Sequence, residues 1–182
     1  MIGGIRLSYK IGSSEKLRHS ASETETKALL YLMNFRDDSD EIYYFIVDFF
    51  NDLTGMDRMS QKLWDLQSKG ATNSSPAAIG KELVTLFKNY ISDFSFNYYI
   101  LFLGGISNSV RENNDLNVFN ISNIKSKSLN KLKDGLKSEC LSKTYIDNSY
   151  VTDENINQFL NNVLFIIDAK KPSDYVKEII KI

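Results

Sequence analysis

The chain has 182 residues, with 22 basic and 23 acidic side chains, a formal charge of −1, and 42% hydrophobic and 25% charged residues. That size and composition suit one globular domain, residues 1–182, with its own core, and the near-neutral balance excludes a protein that coats nucleic acid with its whole surface. A single cysteine, Cys140, and a single histidine, His19, exclude an intrachain disulfide and a zinc site built from several such ligands. No apolar run reaches the ~18 residues of a spanning helix and no signal-peptide core opens the chain, so a cytoplasmic protein with no membrane partner is expected.

Residues 5–11 alternate as Ile-Arg-Leu-Ser-Tyr-Lys-Ile, the pattern of an edge strand. Ser22 and Glu25 have capping-box spacing, and Ala28, Leu29, Leu32, Met33 and Phe35 recur with helical period, so a first helix is expected to run to about Arg36 and to stop at the acidic Asp37–Asp40. The dense aromatic and β-branched run 42–52 reads as one strand buried on much of both faces. Leu53 to Asp57 then reads as a reversal, and Gln61 to Lys69 as the returning strand of a hairpin, followed by a polar loop over 70–75.

Pro76 suits a first helical turn, and Ile79, Leu83, Leu86, Phe87, Tyr90 and Ile91 mark a helix over 76–92 packed on a sheet. Phe94 to Leu103 is apolar at nearly every position, as in a central strand, and strand–helix–strand in this order implies a parallel crossover. Residues 107–121 read as an exposed polar loop. A lysine-bearing helix with Leu129, Leu132 and Leu136 follows, then a short helix capped by Asp153, a strand over Val163–Ile167, and a last helix opened by Pro172. Ending on an amphipathic helix without a polar tail is what the front module of a longer protein would do.

Strand alternation puts Asp65, Gln67 and Lys69 on one face of the second hairpin strand, and Asp48 and Asp52, four apart, on one face of the first. An unpartnered carboxylate inside the apolar run is costly, so Asp48 is expected to have a partner. Mg²⁺ takes hard oxygen ligands and is content with one or two carboxylates plus substrate phosphate, so Asp52, the Gln67 side-chain oxygen and the Ser68 carbonyl form a candidate partial shell for Mg²⁺ or Mn²⁺. Lys69 would neutralise charge on a phosphate and orient a metal-held water. For Asp52 alone, a turn-starting role before Thr54-Gly55 accounts for the residue equally well, and Gln67-Ser68-Lys69 alone reads as solvent-facing strand.

Asp52 together with Gln67-Ser68-Lys69, followed by the amphipathic helix and the apolar strand, resembles the PD-(D/E)xK nuclease superfamily in the variant where glutamine replaces the second acid. More narrowly the chain looks like the N-terminal nuclease module of bacterial anti-phage effectors of the CBASS type. The resemblance covers about residues 20–105, with 106–182 as elaboration, and implies an α/β restriction-endonuclease-like fold with a mixed sheet and helices on both faces. That core needs three strands before the helix, so either residues 5–11 or a split of 42–53 must supply the third.

The same resemblance implies a Mg²⁺-dependent endodeoxyribonuclease with Asp52, Gln67 and Lys69 as catalytic residues, and Asp48, Asp65, Glu23 and Glu25 as additional acids. Glu25 reads as the partner of a helix cap before it reads as a ligand. Lys125, Lys127, Lys131 and Lys133 offer phosphate contacts for DNA, although a lysine-rich helix face is ordinarily just a solvated one. A sensor domain or partner protein and a homo-oligomer complete the implied assembly. The rival reading is a catalytically silent domain of this fold that serves assembly or sensing, with Gln67 as its main support.

Overall fold

A computed structural model describes residues 19–34 and 36–180. Among them an α/β fold is built on a six-stranded mixed open sheet with six α-helices. The elements are α1 (His19–Leu32), β1 (Tyr44–Val47), β2 (Leu53–Met56), β3 (Leu63–Lys69), α2 (Pro76–Glu82), α3 (Val84–Tyr90), β4 (Tyr98–Leu103), β5 (Val118–Phe119), α4 (Ser126–Ser142), α5 (Asp153–Asn161), β6 (Val163–Ile167) and α6 (Pro172–Ile180). Strand order is β1-β2-β3-β4-β6-β5. The first three strands form an antiparallel meander, β3, β4 and β6 run parallel, and β5 closes the far edge antiparallel to β6. The expected edge strand 5–11 lies outside the described residues.

The alternation of β3 separates two cores. Trp64 and Leu66 point into one that also holds Ala28 and Leu32 of α1, Ile100 and Phe102 of β4, and Tyr175 of α6. On the other face Leu63, Leu101, Leu103 and Phe165 pack against Ile79, Leu86, Phe87, Leu136 and Phe159 from α2 to α5. β4 and β6, whose burial is nearly continuous, run through the middle of this sandwich, as an apolar run without polar alternation requires.

The run 42–52 is not one strand. It splits into β1, then a turn over 48–52, then β2, so Leu53–Met56 is a strand where a reversal was expected, and the reversals fall on either side of it. The aromatic density misleads because β1 is an edge: Tyr43, Tyr44, Val47 and Phe49 are exposed, while Phe50 leaves the strand to stack edge-on against Phe94 and Phe96 at 5.0 and 4.9 Å. The second reversal is closed by Asp57, whose Oδ1 accepts from the Gln61 and Lys62 amides at 2.6 and 2.8 Å.

Several boundaries move. α1 already includes His19, so Ser22 lies within the helix rather than capping it, and the helix stops at Leu32 before a 3₁₀ turn over Arg36–Glu41. The helix expected over 76–92 is two short helices that meet at Leu83, with Ser75 Oγ capping the first through the Ala78 amide. Tyr98, not Phe94, opens β4. Thr152, not Asp153, caps α5: its hydroxyl accepts from the Asn155 amide at 3.1 Å, and Asp153 is the first helical residue. The polar stretch 107–121 contains β5 and buries Val110 and Arg111.

α2 and α4 cross at backbone contact. A Cβ at Gly80 would sit 2.0 Å from the Leu132 carbonyl oxygen, and one at Gly135 would sit 2.2 Å from the Ala77 carbonyl oxygen. Neither backbone can yield without separating the helices, so Gly135→Ala is expected to destabilise the protein by about 3 kcal/mol, the upper end for overpacking a close-packed interior. Urea unfolding of the variant checks this, and a midpoint equal to that of the unsubstituted protein would contradict it.

Candidate active site

The site grows from the end of β2. In the β2–β3 register Leu53 faces Leu66, and there the pairing stops because the chain turns away through 48–52. The Asp52 side chain takes over as acceptor for β3: its Oδ2 receives the Ser68 amide at 2.8 Å, the Ser68 hydroxyl at 2.8 Å and the Gln67 Nε2 at 2.7 Å. Asp52 and Gln67 are therefore brought into direct contact, well within the span of ligands to one cation. All three hydrogen bonds to Asp52 converge on one oxygen, and among the described residues Oδ1 accepts none.

The polar face of β3 is met rung by rung by one stripe of α2 and α3. Asp65 Oδ2 accepts from Asn89 Nδ2 at 2.7 Å, Gln67 Oε1 accepts from Thr85 Oγ1 at 2.9 Å, and Lys69 Nζ lies 3.4 Å from Glu82 Oε2. Residues 82, 85 and 89 recur at spacings of three and four, a helical stripe opposite strand positions 69, 67 and 65. Sequence reasoning overlooked these partners, and that polar stripe in an otherwise apolar helix was the available signal.

Asp65 is fully buried with both carboxylate oxygens engaged, Oδ1 by Asn51 Nδ2 at 2.8 Å and Oδ2 by Asn89. Burial raises its pKa to about 7 against the opposing effect of the two amide donors and of Lys88, and the Asp52 charge adds to the rise. Burial also lowers the Lys88 pKa, which the Asp65 charge partly restores.

The other expected acids separate. Asp48 does not share a face with Asp52: it is exposed in the turn at φ 55°, and its amide donates to the Asp52 carbonyl at 3.3 Å. A short polar side chain tolerates that left-handed backbone, which explains an acid within an apolar run. Glu25 and Asp52 line one cleft of about 140 Å³ between α1 and the β1–β2 turn, together with Thr26, Leu29, Val47 and Leu53. Glu23 instead lies 3.4 Å from Lys27, which is held by Asp168 at 2.8 Å.

The lysines at the start of α4 and along it do not form a single track. Lys127 and Lys131 are exposed and Lys125 is half-buried, whereas Lys133 lines a polar groove of about 370 Å³ with Lys137, Asp134 and Asp153. Lys137 is paired there with Asp153 at 2.8 Å.

Among the described residues no group of three or more His, Cys, Asp or Glu side chains is placed to hold a metal. The donor set at Asp52 is of another kind, one carboxylate oxygen without a hydrogen bond beside a carboxamide, with Glu25 across the cleft. Hard oxygen donors of this sort fit Mg²⁺ or Mn²⁺ once water and phosphate complete the shell. For Gln67 to take part its amide must turn over so that Oε1 faces Asp52, and the Thr85 hydroxyl permits this because it accepts as readily as it donates.

Comparison with protein-family models, with curated proteins and with solved structures finds no match for the chain. No helix among the described residues is long and apolar enough to cross a membrane.

Proposed function

We propose that the chain is a metal-dependent DNA endonuclease domain of the PD-(D/E)xK type, acting in bacterial anti-phage defence. The observation that carries this reading is the 2.7 Å contact between Asp52 and Gln67, with Lys69 one alternation further along the same face of β3. Supporting it, α1, an antiparallel β1-β2-β3 meander, a helical crossover and a parallel β4 follow one another in the order of a restriction-endonuclease-like core, with the split of 42–53 supplying the third strand.

In this reading Asp52, the Gln67 side-chain oxygen and the Ser68 carbonyl would hold the divalent ion, which would supply Lewis-acid activation of the phosphodiester and of a water. Lys69 leaves Glu82 to meet the phosphate, where its ammonium offsets the charge that develops in the transition state. Glu25, across the cleft from Asp52, is the additional acid best placed to orient the attacking water.

The test is plasmid cleavage with Mg²⁺ or Mn²⁺ by the unsubstituted protein and by Lys69→Ala. Cleavage is expected to fall by about 10²-fold in the variant, the usual worth of one electrostatic donor at a transition state. Cleavage equal in the two proteins and resistant to chelator would remove the assignment.

One observation favours a second reading, a silent nuclease-fold domain used for assembly or sensing: the Gln67 amide nitrogen, not its oxygen, faces Asp52. Mn²⁺ binding without cleavage of any DNA would select that reading.

A further inference from the structure

Asp65 joins three separate parts of the fold. It stands in the middle of β3, its Oδ2 holds Asn89 of α3, and its Oδ1 holds Asn51 of the β1–β2 turn at 2.8 Å. All three side chains are buried, so no bulk water competes for these hydrogen bonds. Asn51 is the residue next to Asp52, and Asp52 in turn grips Ser68 and Gln67.

We propose that Asp65, acting through Asn51, is a positioning residue that fixes the carboxylate of Asp52 against β3. The turn over 48–52 has no regular pairing of its own and contains one left-handed residue, Asp48. Its backbone is held at one end by the Asp48 amide on the Asp52 carbonyl, and the amide of Asn51 pins its interior to a strand that cannot move. With that pin in place Asp52 Oδ2 is delivered to the Ser68 amide, Oδ1 accepts no hydrogen bond among the described residues, and the residue lines the cleft shared with Glu25. Without it the turn samples other conformations, and the carboxylate loses its fixed bearing before any cation arrives. Both oxygens of Asp65 being engaged, its part is orientation rather than ligation.

The consequence for metal binding rests on the nuclease reading, whereas the consequence for the turn does not, and two measurements on the full chain separate them. The first is amide hydrogen exchange at Ser68, whose N–H is held by Asp52, against Leu101 in β4 as a reference for global opening. Asn51→Ala is expected to accelerate exchange at Ser68 by about tenfold relative to Leu101, the upper end for one buried hydrogen bond. The exchanged pair Asn51→Asp with Asp65→Asn keeps one amide–carboxylate bond in reversed order, and is expected to restore slow exchange at Ser68. Equal acceleration at both sites in Asn51→Ala, or none, would overturn the proposal, as would an exchanged pair that folds and still fails to protect Ser68.

The second measurement is Mn²⁺ binding by calorimetry, with affinity expected to fall about tenfold in Asn51→Ala. An unsubstituted protein that binds no Mn²⁺ would remove the nuclease reading while the exchange result still decides the role of Asp65. Unchanged Mn²⁺ affinity in Asn51→Ala, beside clear binding by the unsubstituted protein, would overturn positioning of Asp52 toward a cation.

Discussion

Asp52→Asn is expected to leave the fold almost intact and to abolish metal-dependent cleavage, by about 10³-fold or more. The asymmetry follows from how the two carboxylate oxygens are used. Oδ2 accepts from the Ser68 amide, the Ser68 hydroxyl and Gln67 Nε2, and a carboxamide oxygen in its place still accepts from the two Ser68 donors while Gln67 Nε2 keeps the Ser68 carbonyl. The amide nitrogen then replaces Oδ1, which makes no hydrogen bond among the described residues, so nothing is broken there. What disappears is the negative charge and the oxygen donor that a hard cation needs, and a loss near the top of the range for single transition-state groups is the result.

Asp52→Ala would be a poor substitute, because it also strips the acceptor from the end of β3, which takes from the Ser68 amide and hydroxyl their acceptor and leaves Gln67 Nε2 only the 3.4 Å bond to the Ser68 carbonyl. Melting curves of Asp52→Asn within about 1.5 kcal/mol of the unsubstituted protein, with cleavage gone, are the expected pair of results. Undiminished cleavage by this variant would reduce Asp52 to a strand cap.

Stability is expected to decline as pH rises from 5 to 8, by about 2–3 kcal/mol, because of Asp65. Its carboxyl titrates near pH 7 in the folded protein, raised by burial, and near ~3.9 in an unfolded chain. Between those values the folded state holds a proton that the unfolded state has released, so raising the pH favours unfolding by up to ~1.4 kcal/mol per unit. The contribution is complete below about pH 4 and lost once the pH has passed about 7. Lys88, Asn51 and Asn89 oppose the rise and Asp52 adds to it, but burial dominates.

Urea unfolding at pH 5, 6, 7 and 8, with Asp65→Asn as the reference, isolates this group, since the variant cannot titrate at that position. A difference between the two proteins that does not change with pH would show that Asp65 remains ionised throughout.

The sequence was most legible where one periodicity ruled. Pro76 with Ile79, Leu83, Leu86 and Phe87 marked the crossover helices, and the unbroken apolar character of Tyr99 to Leu103 marked a strand covered on both sides. The break at Leu83 escaped, since both helices keep their apolar residues on one face, and so did the opening of β4 at Tyr98 rather than Phe94. Legibility failed at 42–53, where the hydrophobicity of an edge strand, Tyr43, Tyr44 and Val47 in the open, imitates that of a buried one. The alternation of β3 placed Asp65, Gln67 and Lys69 together correctly. Their helical partners were missed because Asn89, Thr85 and Glu82 belong to no motif and gain their meaning only from the strand opposite. Asn51 was harder still: an amide in a turn is commonplace, and only the burial of Asp65 makes it necessary.

The Lys27–Asp168 ion pair and the Asn34 side chain on the Tyr175 carbonyl each join residues 141 positions apart. The layer that shelters Trp64, Leu66, Ile100 and Phe102 is thus assembled from α1 and α6, which are far apart in sequence. During synthesis that side of the sheet waits for Tyr175 to leave the ribosome, after the strands between α1 and α6 have been made. Closing so large a loop comes late in folding, and until then the greasy underside of the sheet is what a chaperone would find.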